Sequence, residues 1–240
     1  MDTKILYHRG DEKNAPANTL LAFEAASKGE ADGVELDVQF TRDSVPVVFH
    51  DRTLGKHSDV TGYLRDYTLS ELRKVELDIP GDNPPQFIPT LEEVLDVIEN
   101  MEIINIEIKQ RAGENISEER KLLQTVEKKG LLDNVIFSSF NHYSIKNLEQ
   151  ISPGVKKGII YYARLYRPWE YAESLGVDYL VPLYRTVTED LLFEAARRDL
   201  KIMAYGTDDS EKIRKLIDNN VNMIITDEVE RALSLRENMS

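Results

Sequence analysis

The stretch VELDVQFTRDSVPVVFHD, residues 34–51, alternates apolar and acidic positions and then doubles back on itself. Successive side chains on a β-strand point to opposite faces, so Val34, Leu36 and Val38 share one face while Glu35 and Asp37 share the other. Only a few residues separate this strand from a second apolar run over 45–50, too few for a parallel crossover, so that run is expected to return antiparallel as a hairpin ending in His50-Asp51. Two carboxylates on one strand face are costly to bury unless something neutralises them.

On either side of this stretch, strands and helices alternate. Strand-like runs fall at 4–8, 33–40, 102–109, 135–140, 157–161, 179–183, 201–205 and 222–226. Helical patterns fall between them at 19–28, 90–101, 117–129, 142–150, 168–175, 188–199 and 209–219, with a last helix from Glu228. Leu91, Leu95, Ile98 and Met101 show the helical spacing well. Strands alternating with helices through short connections imply a parallel sheet, and eight such units favour closure into a (β/α)8 TIM barrel, an α/β fold. An open doubly wound sheet is the alternative. Against it, the first strand leads to His8-Arg9-Gly10 rather than a glycine-rich phosphate loop, and no G-x-G-x-x-G occurs. A hairpin and loop insertion, about 42–89, follows the second strand; its irregular part over 51–89 carries Gly55, Gly62, Gly81 and Pro84-Pro85. Long loops in compact domains are usually functional. With no linker of domain-boundary composition and no internal repeat, residues 1–240 are expected to form a single domain.

At 240 residues, 41% hydrophobic and 30% charged, the chain can bury a substantial core. A formal charge of −13 without clustered Lys or Arg argues against nucleic acid or an anionic membrane as partner. The absence of cysteine excludes disulfides and thiolate metal sites and fits a reducing compartment. No apolar signal core or membrane-spanning stretch is visible, so a cytoplasmic enzyme without a stable membrane anchor is expected.

In such a barrel the outer strand face packs on helices and the inner face near the C-terminal strand ends carries the chemistry. Val34, Leu36 and Val38 suit the outer face, which turns Glu35 and Asp37 inward. The 102–109 strand repeats the pattern, with Ile104, Ile106 and Ile108 on one face and Asn105, Glu107 and Lys109 on the other. Three carboxylates then converge with a lysine on one lumen. Either an ion-pair network of structural purpose or a metal site would use these residues. Oxygen-only ligands suit a hard divalent cation, Mg²⁺ or Ca²⁺. His8 and Arg9 at the end of the first strand and His50 at the end of the hairpin are expected at the same mouth, which favours a site; His57 and His142 read as unremarkable loop and helix-start residues. Three carboxylates carry −3, and a divalent cation with Arg9 and Lys109 supplies +4, leaving +1 for an anion such as a phosphodiester. Arginine matches phosphate oxygens, a metal polarises the phosphoryl group, and two imidazoles serve as acid and base. The sequence therefore points to metal-assisted phosphoryl chemistry. No His-x-His pair of the amidohydrolase type is present.

The ordered set His8-Arg9-Gly10, Asn18-Thr19, Glu35-x-Asp37, His50-Asp51 and Glu107-x-Lys109 resembles the glycerophosphodiester phosphodiesterase family, as do Ser139-Phe140 and Ile224-Ile225-Thr226-Asp227 further on. The resemblance implies a barrel hydrolase that cleaves glycerophosphodiesters, such as glycerophosphocholine or glycerophosphoethanolamine, to sn-glycerol 3-phosphate and an alcohol. It implies one divalent cation on Glu35, Asp37 and Glu107, phosphate on Arg9 and Lys109, and His8 and His50 as the acid/base pair, with His8 as base and His50 as acid. Asn18, Phe140 and Tyr205 are candidates for the substrate pocket. Two departures stand out: Ala17 replaces a family glutamate in Pro16-Ala17-Asn18-Thr19, and Tyr205-Gly206 replaces a Trp-Thr pair. They leave open two other readings. One is a lysophospholipid-type enzyme, with an apolar trough drawn from Phe87, Ile88, Tyr63, Tyr67, Tyr161, Tyr162, Tyr166 and Trp169. The other is a barrel that binds metal and phosphate with weak or no turnover.

Overall fold

The computed structural model describes residues 3–79, 83–109 and 116–238; Gly81 of the insertion lies outside them. Eight parallel strands are β1 (Lys4–Tyr7), β2 (Gly33–Phe40), β4 (Ile103–Ile108), β5 (Val135–Ser139), β6 (Lys156–Tyr161), β7 (Tyr179–Pro182), β8 (Lys201–Ala204) and β9 (Met223–Thr226). Each pairs with its neighbour in that order, and β1 pairs with both β9 and β2, so the sheet closes. The open sheet is thereby excluded. β3 (Pro46–Val48) runs antiparallel to the C-terminal end of β2, beyond its pairing with β1, with Val38 opposite Val48 and Phe40 opposite Pro46. That is the expected hairpin, shorter than the 45–50 run.

Around the barrel lie α1 (Leu20–Lys28), α3 (Leu91–Ile98), α4 (Ser117–Lys128), α5 (His142–Ile151), α6 (Pro168–Leu175), α7 (Glu189–Ala196), α8 (Ser210–Asp218) and α9 (Val229–Glu237), with the four-residue α2 (Leu69–Leu72) in the insertion. Sequence periodicity misses α2 because one turn is too short to show a period. It overruns α7, which was expected to reach 199: Asp199 turns left-handed (φ 56°) and ends the segment. Thr90 begins α3 with a capping box, its hydroxyl accepting from Glu93 N while Glu93 accepts from Thr90 N, worth about 1 kcal/mol. Leu91, Val94, Leu95 and Ile98 then bury one face of that helix completely.

The strands sort their side chains as the alternation demands. Val34, Leu36, Val38, Ile104, Ile106 and Ile108 all join the shell between barrel and helices. The lumen is plugged by Leu6, Ile103, Ile136, Ile160, Val181, Met203, Met223 and Ile225 with Tyr179. Along β4 the inward positions therefore run from Ile103 through Asn105 to Glu107. The apolar plug excludes water from below, and chemistry is left to the C-terminal ends. A third cluster, including Val47, Phe49, Leu54, Leu64, Leu72 and Ile88, anchors the insertion over the mouth.

Candidate active site

The site starts from the register of two strands. β2 and β4 align Asp37 with Glu107 and Glu35 with Asn105, and carboxylate oxygens of Glu35, Asp37 and Glu107 lie within 4.8 Å of one another. Glu35 and Asp37 are buried and Glu107 nearly so. The cations expected beside them are there. Arg9 Nε lies 3.0 Å from Asp37 Oδ2, and Lys109 Nζ lies 3.3 Å from Asp37 Oδ1 and 2.9 Å from Glu107 Oε1. Arg9 reaches inward because its backbone turns left-handed just after β1 (φ 57°), which also lets its main-chain N–H donate to Glu35 Oε2 at 3.1 Å. Gly10, next, holds φ +87°, and a Cβ there would sit 2.8 Å from Ala22 of α1. Asn18, a candidate pocket residue, is buried and grips Asp37 twice: its amide donates to Oδ2 at 2.8 Å and its oxygen accepts from Asp37 N at 3.3 Å. It orients a carboxylate and also lines a cavity of about 270 Å³ with Arg9, Ala17 and His50.

Burial alone would raise all three carboxyl pKa values, and neighbours split them. Lys109 and Arg9 hold Asp37 below the usual carboxylate range. Burial, together with the Asp37 charge, pushes Glu35 up to about 8 and pushes Glu107 up as well. The cluster cannot carry three full charges unaided. Asp37 Oδ1 is moreover buried without a hydrogen-bond donor, its lysine neighbour being an ion-pair contact only. Three converging carboxylates with a free lone pair fit a hard divalent cation.

The two imidazoles are oriented by carboxylates to which the sequence reading gave no role. His8 Nδ1 lies 2.8 Å from Asp227 Oδ1, just past β9. Asp227 is itself fixed by Asp208, whose Oδ1 accepts from Asp227 N at 2.9 Å and from the Thr226 hydroxyl at 2.7 Å. His50 Nδ1 lies 2.6 Å from Asp51 Oδ1, and the other oxygen of Asp51 meets His57 Nε2 at 2.9 Å and Lys56 Nζ at 3.2 Å. His57 thus belongs to the support of His50, whereas His142, bonded to Tyr171 and to the Ile160 carbonyl, is structural. The signal for both aspartates was their place in the chain: Asp51 follows His50, and Asp227 ends a strand at the chemical face. Their effects on the rings differ. Burial would lower His8, but the Asp227 hydrogen bond and the Glu35 charge outweigh it and hold the ring at about 9. His50 is lowered by burial, with the cations Lys109 and Arg9 adding to that.

Two cavities meet above the carboxylates. One, of about 260 Å³, is lined by His8, Arg9, Glu35, Asn105, Phe140 and Tyr205; the other, of about 430 Å³, by His50, Asp51, Lys109, Phe140 and Tyr162; Glu107 lines both. Phe140 packs edge-on against Tyr205 at 6.1 Å and is half exposed. Gly206 holds φ +83°, and a Cβ there would strike Leu183 at 2.6 Å, so the Thr expected from the resemblance does not fit this wall. Of the apolar trough, Ile88, Tyr161 and Trp169 are core residues and only Tyr162 reaches the His50 cavity.

Residues 8–231 match the sequence profile of the Glycerophosphoryl diester phosphodiesterase family. A glycerophosphodiester phosphodiesterase of Caldanaerobacter subterraneus is 35% identical over 238 residues, covering 98% of each chain. Among solved structures, a glycerophosphodiester phosphodiesterase from Thermotoga maritima is 29% identical with a TM-score of 0.79, covering 98% of this chain and 99% of that one. An Oleispira antarctica phosphodiesterase in complex with the product sn-glycerol-3-phosphate has a TM-score of 0.88 at 23% identity, covering 98% and 97%, and shares the fold. Similarity over nearly the full length, spanning both histidines and all three carboxylates, places the chain in the glycerophosphoryl diester phosphodiesterase family of hydrolases.

Proposed function

We propose that the protein hydrolyses small glycerophosphodiesters, such as glycerophosphocholine or glycerophosphoethanolamine, to sn-glycerol 3-phosphate and an alcohol, with a divalent cation, Mg²⁺ or Ca²⁺, on Glu35, Asp37 and Glu107. The observation that carries this is three mutually close, buried carboxylates flanked by Arg9, Lys109 and two carboxylate-oriented imidazoles. When bound, the cation supplies charge neutralisation for the carboxylates and polarisation of the phosphoryl oxygens. Arg9 and Lys109 hold the phosphate, trading part of their contact with Asp37 for it. A glycerol hydroxyl attacks phosphorus, the alcohol leaves, and water then opens the cyclic phosphate.

The order of the two imidazoles is the reverse of that carried over from the resemblance. Both rings are held by an aspartate, so what supports the reversal is the charge around them: the Asp227 hydrogen bond and the Glu35 charge raise His8 against its burial, whereas burial, with Lys109 and Arg9, lowers His50. His50 takes the proton from the attacking hydroxyl, and His8 gives one to the leaving oxygen. The kcat/KM profile should rise as His50 deprotonates and fall as His8, raised by its Asp227 hydrogen bond, deprotonates above the ordinary imidazole range. Asp227→Asn removes a contribution that raises His8, so the alkaline limb should move to lower pH with the acid limb in place; an unmoved alkaline limb would assign that limb to another group.

Glycerol 3-phosphate release from the two named diesters, assayed after EDTA stripping and again with Mg²⁺ or Ca²⁺, tests the function. Release is expected only with cation, and Glu35→Ala and His50→Ala should each lower it by about 10²-fold or more. Cation-independent release would overturn the metal assignment, and binding without release under any cation would revive the silent-barrel reading. Whole-chain folding as one domain and a cytoplasmic setting remain part of this proposal, resting on the cysteine-free composition and the absence, among the described residues, of any helix long and apolar enough to cross a membrane.

A further inference from the structure

The turn that follows β1 carries an acidic side chain that takes no part in the carboxylate cluster. Asn14 N and Ala15 N donate to Asp11 O at 3.2 and 3.0 Å and close the turn, and Asp11 N donates to Ala22 O at 3.0 Å and ties it to α1. Within the turn, the Asp11 carboxylate accepts from the Asn14 amide and Lys13 is paired with Glu228 at 2.8 Å. Glu12 lies between them, and its carboxylate makes no hydrogen bond or ion pair among the described residues. One of its oxygens lies within 4.8 Å of a ring nitrogen of His8 and of an Asp227 oxygen. Partial burial, and then the Asp227 charge, push the Glu12 carboxyl above its ordinary range. Arg9, which pulls it the other way, is committed to Asp37. Asp227 and Asp208 line the cavity of about 260 Å³ beside His8, and Asp208 accepts from Asp227 N and the Thr226 hydroxyl, neutral donors that leave its charge in place. The corner around His8 is therefore acidic. The cavity beside His50 differs, with Arg52 and Lys109 among its lining.

We propose that Glu12 is a specificity-determining residue that selects diesters whose leaving alcohol is cationic, such as ethanolamine or choline, over neutral ones. The inference rests on the proposed function and on His8 acting at the leaving oxygen, which brings the alcohol into this corner. In ethanolamine and choline the nitrogen stands two carbons from that oxygen, a reach comparable to the spacing between His8 and Glu12. An imidazolium at His8 balances part of the negative charge in the ground state. As His8 gives up its proton the balance is lost, so attraction for a cationic alcohol grows as the bond breaks and enters kcat/KM.

The test compares kcat/KM for glycerophosphocholine with that for its 3,3-dimethylbutyl analogue, in which carbon replaces the charged nitrogen. Wild type should favour the choline ester, and added salt should narrow the ratio of the two. Glu12→Gln should narrow it about three- to tenfold, the range of a partly screened ion pair, and Glu12→Asp should keep most of it. Taking the ratio within each variant cancels the difference in leaving-group acidity and any general loss of activity, so a merely structural role for Glu12 would not move it. A ratio that Glu12→Gln leaves unaltered, with both esters still cleaved, would overturn the proposal and spare the function. Cleavage of neither ester by wild type with Mg²⁺ or Ca²⁺ present would overturn both.

Discussion

Replacing His8 by alanine should lower kcat/KM for glycerophosphocholine by about 10²–10⁴-fold, the range for a positioned proton donor, and most of that loss should vanish when the leaving group is p-nitrophenol. The reasoning is that p-nitrophenolate leaves without a proton, so the general acid becomes dispensable. His50→Ala should show a loss of the same size on the natural diester with no recovery on the activated one, because the attacking hydroxyl must still be deprotonated. The two variants and two substrates form a four-cell comparison. Recovery in His50→Ala instead would restore the order implied by the resemblance. Recovery in neither would mean that both rings act before the leaving bond breaks. Both side chains are partly exposed at the mouth, so neither alanine leaves a deep cavity, and unchanged unfolding midpoints should accompany the kinetic losses.

Divalent-cation affinity should rise about tenfold per pH unit below 8 and level off above it. Glu35 must be ionised to serve as a ligand, and burial with the Asp37 charge holds its pKa at about 8. Below that value the cation has to displace a proton, so binding strengthens as pH rises. Calorimetry at pH 7 in buffers of different ionisation enthalpy should report release of about one proton per cation. Glu35→Gln should bind more weakly and release fewer protons, and its kcat/KM should drop by about 10²–10³-fold, the equivalent of losing several kcal/mol of charge stabilisation. At a cation concentration of about 100 Kd the wild type gains about 2.7 kcal/mol, which for a chain of this size lifts Tm by roughly 5–11 °C. A pH-independent affinity would mean that Glu35 is already ionised in the free protein and that its surroundings are more polar than its burial indicates.

Much of this was legible in residues 34–51 and 102–109. Period-two alternation is a local property, and it correctly divided Val34, Leu36 and Val38 from Glu35 and Asp37, and Ile104, Ile106 and Ile108 from Glu107. Barrel closure followed from counting units. What local pattern could not deliver was anything set by a distant partner. Asn18 lines a cavity as expected, but nothing in its neighbourhood reveals that Asp37 occupies both its oxygen and its amide. The protonation of His8 depends on Asp227, which no spacing rule connects to it. His57 looked idle for the same reason, as its link to His50 runs through Asp51. Short elements such as Leu69–Leu72 escaped because a single turn carries no period.

The contact between His8 and Asp227 joins residues 219 apart in sequence, and it forms only where the first strand meets the last. During synthesis at about 5–20 residues per second, β1 therefore waits roughly 10–45 s for β9 to emerge. Until then the nascent chain exposes an unpaired strand edge beside β1 and has no carboxylate to orient His8. Closure of the barrel and the orientation of His8 arrive together, so a ribosome-bound or C-terminally truncated chain that lacks β9 lacks both.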